Sequence, residues 1–208
     1  HYHHSIFTNL GIICKNSGRA EEAILQYKRA IKISPYEPAA YGNLSNLYQM
    51  LCNFDKAIAF SLKSLELQPN NPQALITLGW SHRALGNLDE ALASTLRSLE
   101  LKPDNPDALM NLGGIYKDLG NFDQALATTL KSIELKPHNP SALMNLGGIY
   151  KELDNLDQAL TSTLQSLQLK PDNPDALFIL GDIYKDLGNL DQALTTTIKS
   201  LELKPNNQ

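Results

Sequence analysis

Side-chain catalysis needs a base or nucleophile held against a partner, and the residues able to do that are sparse in this chain. The histidines are His1, His3, His4, His82 and His138. The opening His-Tyr-His-His can bind a metal adventitiously, but it reads better as a tag-like or frayed terminal segment over residues 1–3. Serines and threonines are abundant, yet none has a histidine beside it at a repeating offset, as an activated nucleophile requires. Gly113-Gly114 and Gly147-Gly148 follow no strand and precede no Lys-Ser/Thr, so they are not phosphate loops. Cys14 and Cys52 make no disulfide framework, and a reduced, cytoplasmic setting is the simplest expectation. The segment is expected to be non-catalytic, with no cofactor and no metal site.

Three rows of residues, spaced 34 apart, carry the remaining chemistry. The first is Asn9, Asn43, Thr77, Asn111, Asn145 and Ile179. A carboxamide both donates and accepts, so a file of asparagines can pair with the N–H and C=O of an extended peptide without reading its side chains. Alternatively, each asparagine makes a local hydrogen bond within or between repeats. The second row is Ile12, Asn46, Trp80, Gly114, Gly148 and Asp182. Trp80 is the residue type most often found as a binding hot spot, unless it belongs to the core. The glycines would let a ligand backbone approach, or else serve helix packing. The third row is Lys15, Gln49, Arg83, Lys117, Lys151 and Lys185. It forms a basic stripe that could draw acidic peptides, although Asp118, Glu152 and Asp186 stand beside its last three members.

The elements that position these rows follow from the same period. Prolines stand at 35, 69, 103, 137, 171 and 205, and 208 residues hold six units of 34 with four left over. A period in this range means a repeat array. The units run 4–37, 38–71, 72–105, 106–139, 140–173 and 174–207, forming a single array over 4–207. Units four and five agree at 24 of 34 positions, and Ala-Leu-Met-Asn-Leu-Gly-Gly-Ile-Tyr-Lys is shared between them. Composition is ordinary: 42% hydrophobic, 19% charged, net charge −4. That balance supplies no basic field for nucleic acid. The apolar runs are too short to span a membrane, and the opening residues do not read as a signal peptide.

Within a unit, Leu109, Leu112, Tyr116 and Leu119 share one stripe at helical spacing, after Pro106 at a first helical turn. Gly120-Asn121 breaks that helix, and Asn121 with Gln124 has capping-box spacing, as do Asn87 with Glu90, Asn155 with Gln158 and Asn189 with Gln192. A second helix carries Ala125, Leu126, Leu130, Ile133 and Leu135 and stops before Pro137. Each hairpin has too little apolar surface to fold alone, so neighbours must stack. The fold class expected is an all-α solenoid.

The slots of this unit resemble the tetratricopeptide repeat. A bulky residue (Phe7, Tyr41, Leu75, Leu109, Leu143, Leu177) precedes Leu10, Leu44, Leu78, Leu112, Leu146 and Leu180; glycine follows five of these, with Ser45 the exception. Alanine recurs at 23, 57, 91, 125, 159 and 193. Two slots depart from the family. Its second-helix aromatic survives only as Tyr27, becoming Ser61, Thr95, Thr129, Thr163 and Thr197. Its later alanine survives only as Ala30, becoming Ser64, Ser98, Ser132, Ser166 and Ser200. Such hydroxyls can return their O–H to the preceding turn of their own helix, so they read as tolerated packing, with closer helix contacts or a polar seam as the alternatives.

The resemblance implies a right-handed superhelix whose first helices line a concave groove, where ligands of the family dock. It places Asn9, Asn43, Asn46, Trp80, Arg83, Asn111, Lys117, Asn145, Lys151 and Lys185 on that groove, and the asparagine row resembles the ladder in the arrays of O-linked N-acetylglucosamine transferases. The family's clamp for acidic C-termini does not transfer, because the slots it needs hold Thr8, Gly42, Ile76 and Met110. The expected role is a protein-interaction scaffold binding an extended peptide, with no nucleic-acid or membrane partner. The alternatives are a substrate-recognition region of a larger enzyme, such as a glycosyltransferase, and a structural array that self-associates end to end.

Overall fold

The computed structural model describes residues 3–204, and all of its regular structure is helical. The expectations for His1, Pro205 and Asn206 lie outside the described residues. The helices fall into two compact units divided between Pro103 and Asp104. The first holds α1 (His3–Asn16), α2 (Ala20–Ile33), α3 (Pro38–Met50), α4 (Phe54–Leu67), α5 (Pro72–Ala84) and α6 (Leu88–Leu101). The second holds α7 (Pro106–Asp118), α8 (Phe122–Leu135), α9 (Pro140–Glu152), α10 (Leu156–Leu169), α11 (Pro174–Asp186) and α12 (Leu190–Leu203).

Each odd helix pairs with the even helix after it, and within each unit α3, α5, α9 and α11 also pack on both helices of the preceding hairpin. The recurrent alanines sit where paired helices meet: Ala23, Ala57, Ala91, Ala125 and Ala159 are fully buried. Around them stand Leu44, Ile115, Ile149 and Ile183, also fully buried.

Proline and glycine set the boundaries. Pro38, Pro72, Pro106, Pro140 and Pro174 open α3, α5, α7, α9 and α11, where a missing N–H costs no hydrogen bond. Within the hairpins, Gly18, Gly86, Gly120 and Gly188 take a left-handed φ of 74° to 79°. Cys52 and Asp154 take the same conformation at 56° and 59°, at the strain a non-glycine residue carries there.

The capping pattern differs from the expected one. Asn87, Asn121, Asn155 and Asn189 make no side-chain cap bond, and Asn53 alone of that slot accepts from a helix amide, that of Lys56. The caps form in the other turn, where the Oδ1 atoms of Asn71, Asn105 and Asn139 each accept from two helix amides. These three residues precede a proline and lie in the extended region, with ψ near 101° to 108°, a conformation that suits a capping side chain. Asn173 shares that conformation, at ψ 106°, without making a side-chain cap bond. The hairpin-turn asparagines follow a left-handed residue and sit at ψ near 66° to 76°.

The hydroxyl rows behave in two ways. Thr95 and Thr163 donate to the carbonyls of Ala91 and Ala159 at 2.7 and 2.8 Å, back into their own helices as expected. The serine row instead crosses the hairpin. Ser64, Ser98, Ser132, Ser166 and Ser200 donate to the carbonyls of Pro38, Pro72, Pro106, Pro140 and Pro174 at 2.7 to 3.1 Å. These residues are a polar seam joining the end of one helix to the start of its partner, not tolerated packing.

Glycine accompanies both versions of the aromatic slot. A Cβ on Gly11 would strike the Tyr27 ring, and one on Gly113 or Gly147 would strike the Oγ1 of Thr129 or Thr163. Tyr27 itself is fully buried, and burial, with the Cys14 sulfur adding to it, pushes its phenol up to about 12. Cys14 is buried beside it and Cys52 is exposed, and both are free thiols.

Candidate interaction groove

In the first unit, α1, α3 and α5 surround a concave pocket of about 390 Å³. Lys15 comes from α1, Asn43 and Asn46 from α3, Gln73 from α5, and Asn71 from the turn that caps α5. Asn43 and Asn46 are half-buried, so their carboxamides are held by the helix yet reach water. The Nζ of Lys15 donates to the Oδ1 of Asn46 at 3.2 Å, joining α1 to α3 at the pocket lining. Asn9 is exposed on α1. Trp80 and Arg83 are half-buried on α5, with the guanidinium carbon 5.5 Å from the indole centroid, within cation–π range. Asn71 and Gln73 were not among the candidate residues. Asn71 was legible as the residue ahead of a helix-opening proline, but nothing in the spacing placed either at a pocket edge.

The second unit treats the same slots differently. Asn111 is fully buried and Asn145 is 5% exposed. The Nδ2 of Asn145 donates to the backbone carbonyl of Met110 at 3.3 Å, tying α9 to α7. The asparagines are therefore not one exposed file: they run from exposed at Asn9 to half-buried at Asn43 to buried at Asn111 and Asn145. Gly114 and Gly148 are buried as well, and the space over Gly148 is filled. A Cβ there would stand 3.7 Å from both the Lys117 Nζ and the Ile179 Cδ1.

The lysines of this unit lie among carboxylates. Lys117 is half-buried with its Nζ 4.0 Å from Asp118. Lys151 has three carboxylates around it: Asp182 at 3.7 Å, Asp186 at 3.8 Å and Glu152 at 3.9 Å. Lys185 is exposed and bonds Asp182 at 3.0 Å, a hydrogen bond that, with the attraction of the same carboxylate, raises its pKa. Lys117, Lys151 and Lys185 thus face Asp118, Glu152, Asp182 and Asp186, and the row is a mixed-charge ladder, not a basic stripe. A rung geometry repeats: Lys15 reaches Asn46, Lys117 lies over Gly148, and Lys151 reaches Asp182, each 31 residues ahead.

The two histidines with described side chains outside α1 are surface groups. His82 is half-buried with its Nδ1 3.5 Å from the Asn87 amide, and His138 is exposed. Among the described residues no group of three or more His, Cys, Asp or Glu side chains is placed to hold a metal, and no helix is long and apolar enough to cross a membrane.

Models of the tetratricopeptide repeat match residues 36–104, 76–140, 115–174 and 174–207, and a TPR repeat model matches 11–51. A search of curated proteins returns no match. Several solved structures share the fold. A chain of the APC/C hetero-tetramer Cut9–Hcn1 aligns with a TM-score of 0.89 at 21% identity, covering 98% of this chain and 41% of that one. This chain therefore spans less than half the length of that relative. TTC0263, a thermophilic TPR protein of Thermus thermophilus, aligns with a TM-score of 0.72 at 21% identity, covering 92% of this chain and 99% of its own. YrrB, described as a TPR protein with an unusual peptide-binding site, aligns with a TM-score of 0.57 at 24% identity, covering 87% and 93%. With a 34-residue period, paired helices throughout the described residues and family models that together run from residue 11 to 207, the chain belongs to the tetratricopeptide repeat family.

Proposed function

We propose that the protein is a non-catalytic interaction scaffold that holds an extended peptide of a protein partner in the groove of its first unit. Tetratricopeptide repeats generally mediate protein–protein interaction. The observation that supports the finer reading is the polar pocket lined by Lys15, Asn43, Asn46 and Gln73. Carboxamides that are anchored on helices but reach solvent can pair with both the N–H and the C=O of a passing backbone at little entropic cost. Lys15 adds one cation, suited to a carboxylate on the same peptide. Trp80 and Arg83, stacked on one another on α5, offer a flat apolar and cationic surface for a side chain of that peptide.

The mixed-charge ladder of the second unit plays a lesser part in this reading, because its cations already have carboxylate partners. Asn111 and Asn145 contribute by holding helices in place.

The test is selection of displayed peptides on the wild-type chain, followed by affinity measurement on an Asn43→Ala/Asn46→Ala variant. Loss of the two carboxamides is expected to weaken the selected peptides about tenfold or more, with helicity unchanged. Equal affinity in the variant would sink the groove reading.

A further inference from the structure

The pocket of the first unit offers a ligand more hydrogen-bond donors than acceptors. The Oδ1 of Asn46 already accepts from the Lys15 Nζ at 3.2 Å. The Oδ1 of Asn71 accepts from the backbone N–H groups of Gln73 and Ala74 at 3.1 and 3.2 Å. An ammonium and a backbone amide only donate, so in both side chains the oxygen faces the protein and the Nδ2 is left to other partners. Neither Nδ2 has an acceptor among the described residues. Of the three asparagines lining the pocket, Asn43 alone keeps its oxygen for a peptide N–H.

Charge points the same way. The three helices around the pocket, α1, α3 and α5, contain no aspartate or glutamate. Their counterparts α7, α9 and α11 contain Asp107, Asp118, Glu152, Asp175, Asp182 and Asp186. Lys15 therefore bonds a neutral amide, while Lys117 and Lys151, in the same slot of the second unit, lie 3.7 to 4.0 Å from carboxylates. An amide oxygen holds the ammonium in place without cancelling its charge. The slot of Asn46 is filled by Asp182 four repeats on, and there the carboxylate does offset the charge of Lys151.

We propose that this pocket binds a carboxylate side chain, so that the protein selects extended peptides with an aspartate or glutamate at the position that enters it. The inference rests on the groove reading above and deepens it by naming what the bound peptide must contain. A carboxylate only accepts, and its two oxygens have lone pairs enough for the Lys15 ammonium and for the Nδ2 groups of Asn46 and Asn71. The peptide backbone pairs with Asn43 and runs on toward Trp80 and Arg83, so the acid is a side chain and not the chain end. An asparagine or glutamine in its place would set an NH2 group against these donors.

Random displayed peptides selected on the 208-residue chain test this, and the expected result is enrichment of an acidic residue at one position. Fluorescence anisotropy then compares a selected peptide with its counterpart in which that acid is replaced by the matching amide. The wild-type chain should bind the amide form about tenfold or more weakly. Lys15→Met should weaken the acidic peptide and bind both forms alike. Asn46→Asp gives Lys15 the kind of partner that Lys151 has in Asp182, and should also abolish the preference with helical circular dichroism unchanged. Equal wild-type affinity for acid and amide forms overturns the proposal; if Asn43→Ala/Asn46→Ala still weakens both forms, the groove reading stands without it. Affinity lost on amidating the peptide's C-terminus but kept in the side-chain amide form overturns it as well. A selection that enriches no peptide, or only peptides that Asn43→Ala/Asn46→Ala leaves unaffected, sinks the groove reading and this proposal with it.

Discussion

Asn43 and Asn145 occupy the same slot of the same repeat, yet the first lines an open pocket and the second is buried against the Met110 carbonyl. The neighbouring slots differ in the same direction. The first unit has Asn46 across from Lys15, a polar pair at the pocket lining, whereas the second has Gly148 under the stem of Lys117. A second contrast lies inside the hairpins. The first keeps an aromatic, Tyr27, against Gly11, and the hairpins of the second unit replace it with threonines against Gly113, Gly147 and Gly181. A repeat family can thus keep one backbone plan and assign a given residue to recognition in one place and to internal bonding in another.

The aromatic contrast carries the largest expected effect. The Tyr27 phenol is held up at about 12, above the ordinary value of 10.0 that it regains on unfolding. The unfolded chain therefore loses this proton first, and the stability tied to it is complete below pH 10 and declines as pH rises from 10 to about 12. The loss is on the order of 2–3 kcal/mol, and Tyr27→Phe should remove that part of the alkaline decline in urea titrations. An unchanged alkaline profile in the variant would show that the phenol titrates normally.

The glycine pairs give the next effect. Gly147→Ala drives a methyl into Thr163 and should destabilise by about 1–3 kcal/mol, with most of the loss recovered in Gly147→Ala/Thr163→Ala. Gly42→Ala in the first unit meets only the Ser64 Oγ at 3.4 Å, so it should be neutral or gain up to about 1 kcal/mol from helix propensity. Equal costs at the two sites in chemical denaturation would erase the contrast.

The asparagine comparison is smaller in energy but closest to function. Asn145→Ala removes a buried hydrogen bond and should cost about 1–2 kcal/mol, leaving the affinity of a first-unit peptide unchanged. Asn43→Ala should change stability by less than about 0.5 kcal/mol while weakening that peptide. Denaturation and fluorescence anisotropy on both variants check the pair, and the reverse pattern would move the recognition surface to the second unit.

The comparison also shows where sequence reasoning stopped. Hairpin boundaries were legible because proline and glycine act through local sterics: Pro106 opens α7, Gly120 ends it, and α8 stops at Leu135 ahead of Pro137. Capping was misread because Asn–x–x–Gln spacing does not orient the side chain. The same asparagine type caps at 105 and fails to cap at 121, and it fails at 173 as well, where the backbone angle matches that of 105. The serine row was read as tolerated packing because Ser132 and Pro106 are 26 residues apart, too far for any local rule to join.

Repetition itself explains the final division. Period, helices, pairing and family were all readable from the order of residues. Each of these depends on contacts within one unit or between one unit and its neighbour, and the neighbour has nearly the same sequence. Which asparagine opens to water and which cation finds a carboxylate became visible only once the helices were packed. Those outcomes rest on side chains 31 to 35 residues apart, such as Lys151 with Asp182 and Asn145 with Met110. There a small shift of one helix against the next separates a hydrogen bond from a pocket wall, and a row of identical letters does not carry that information.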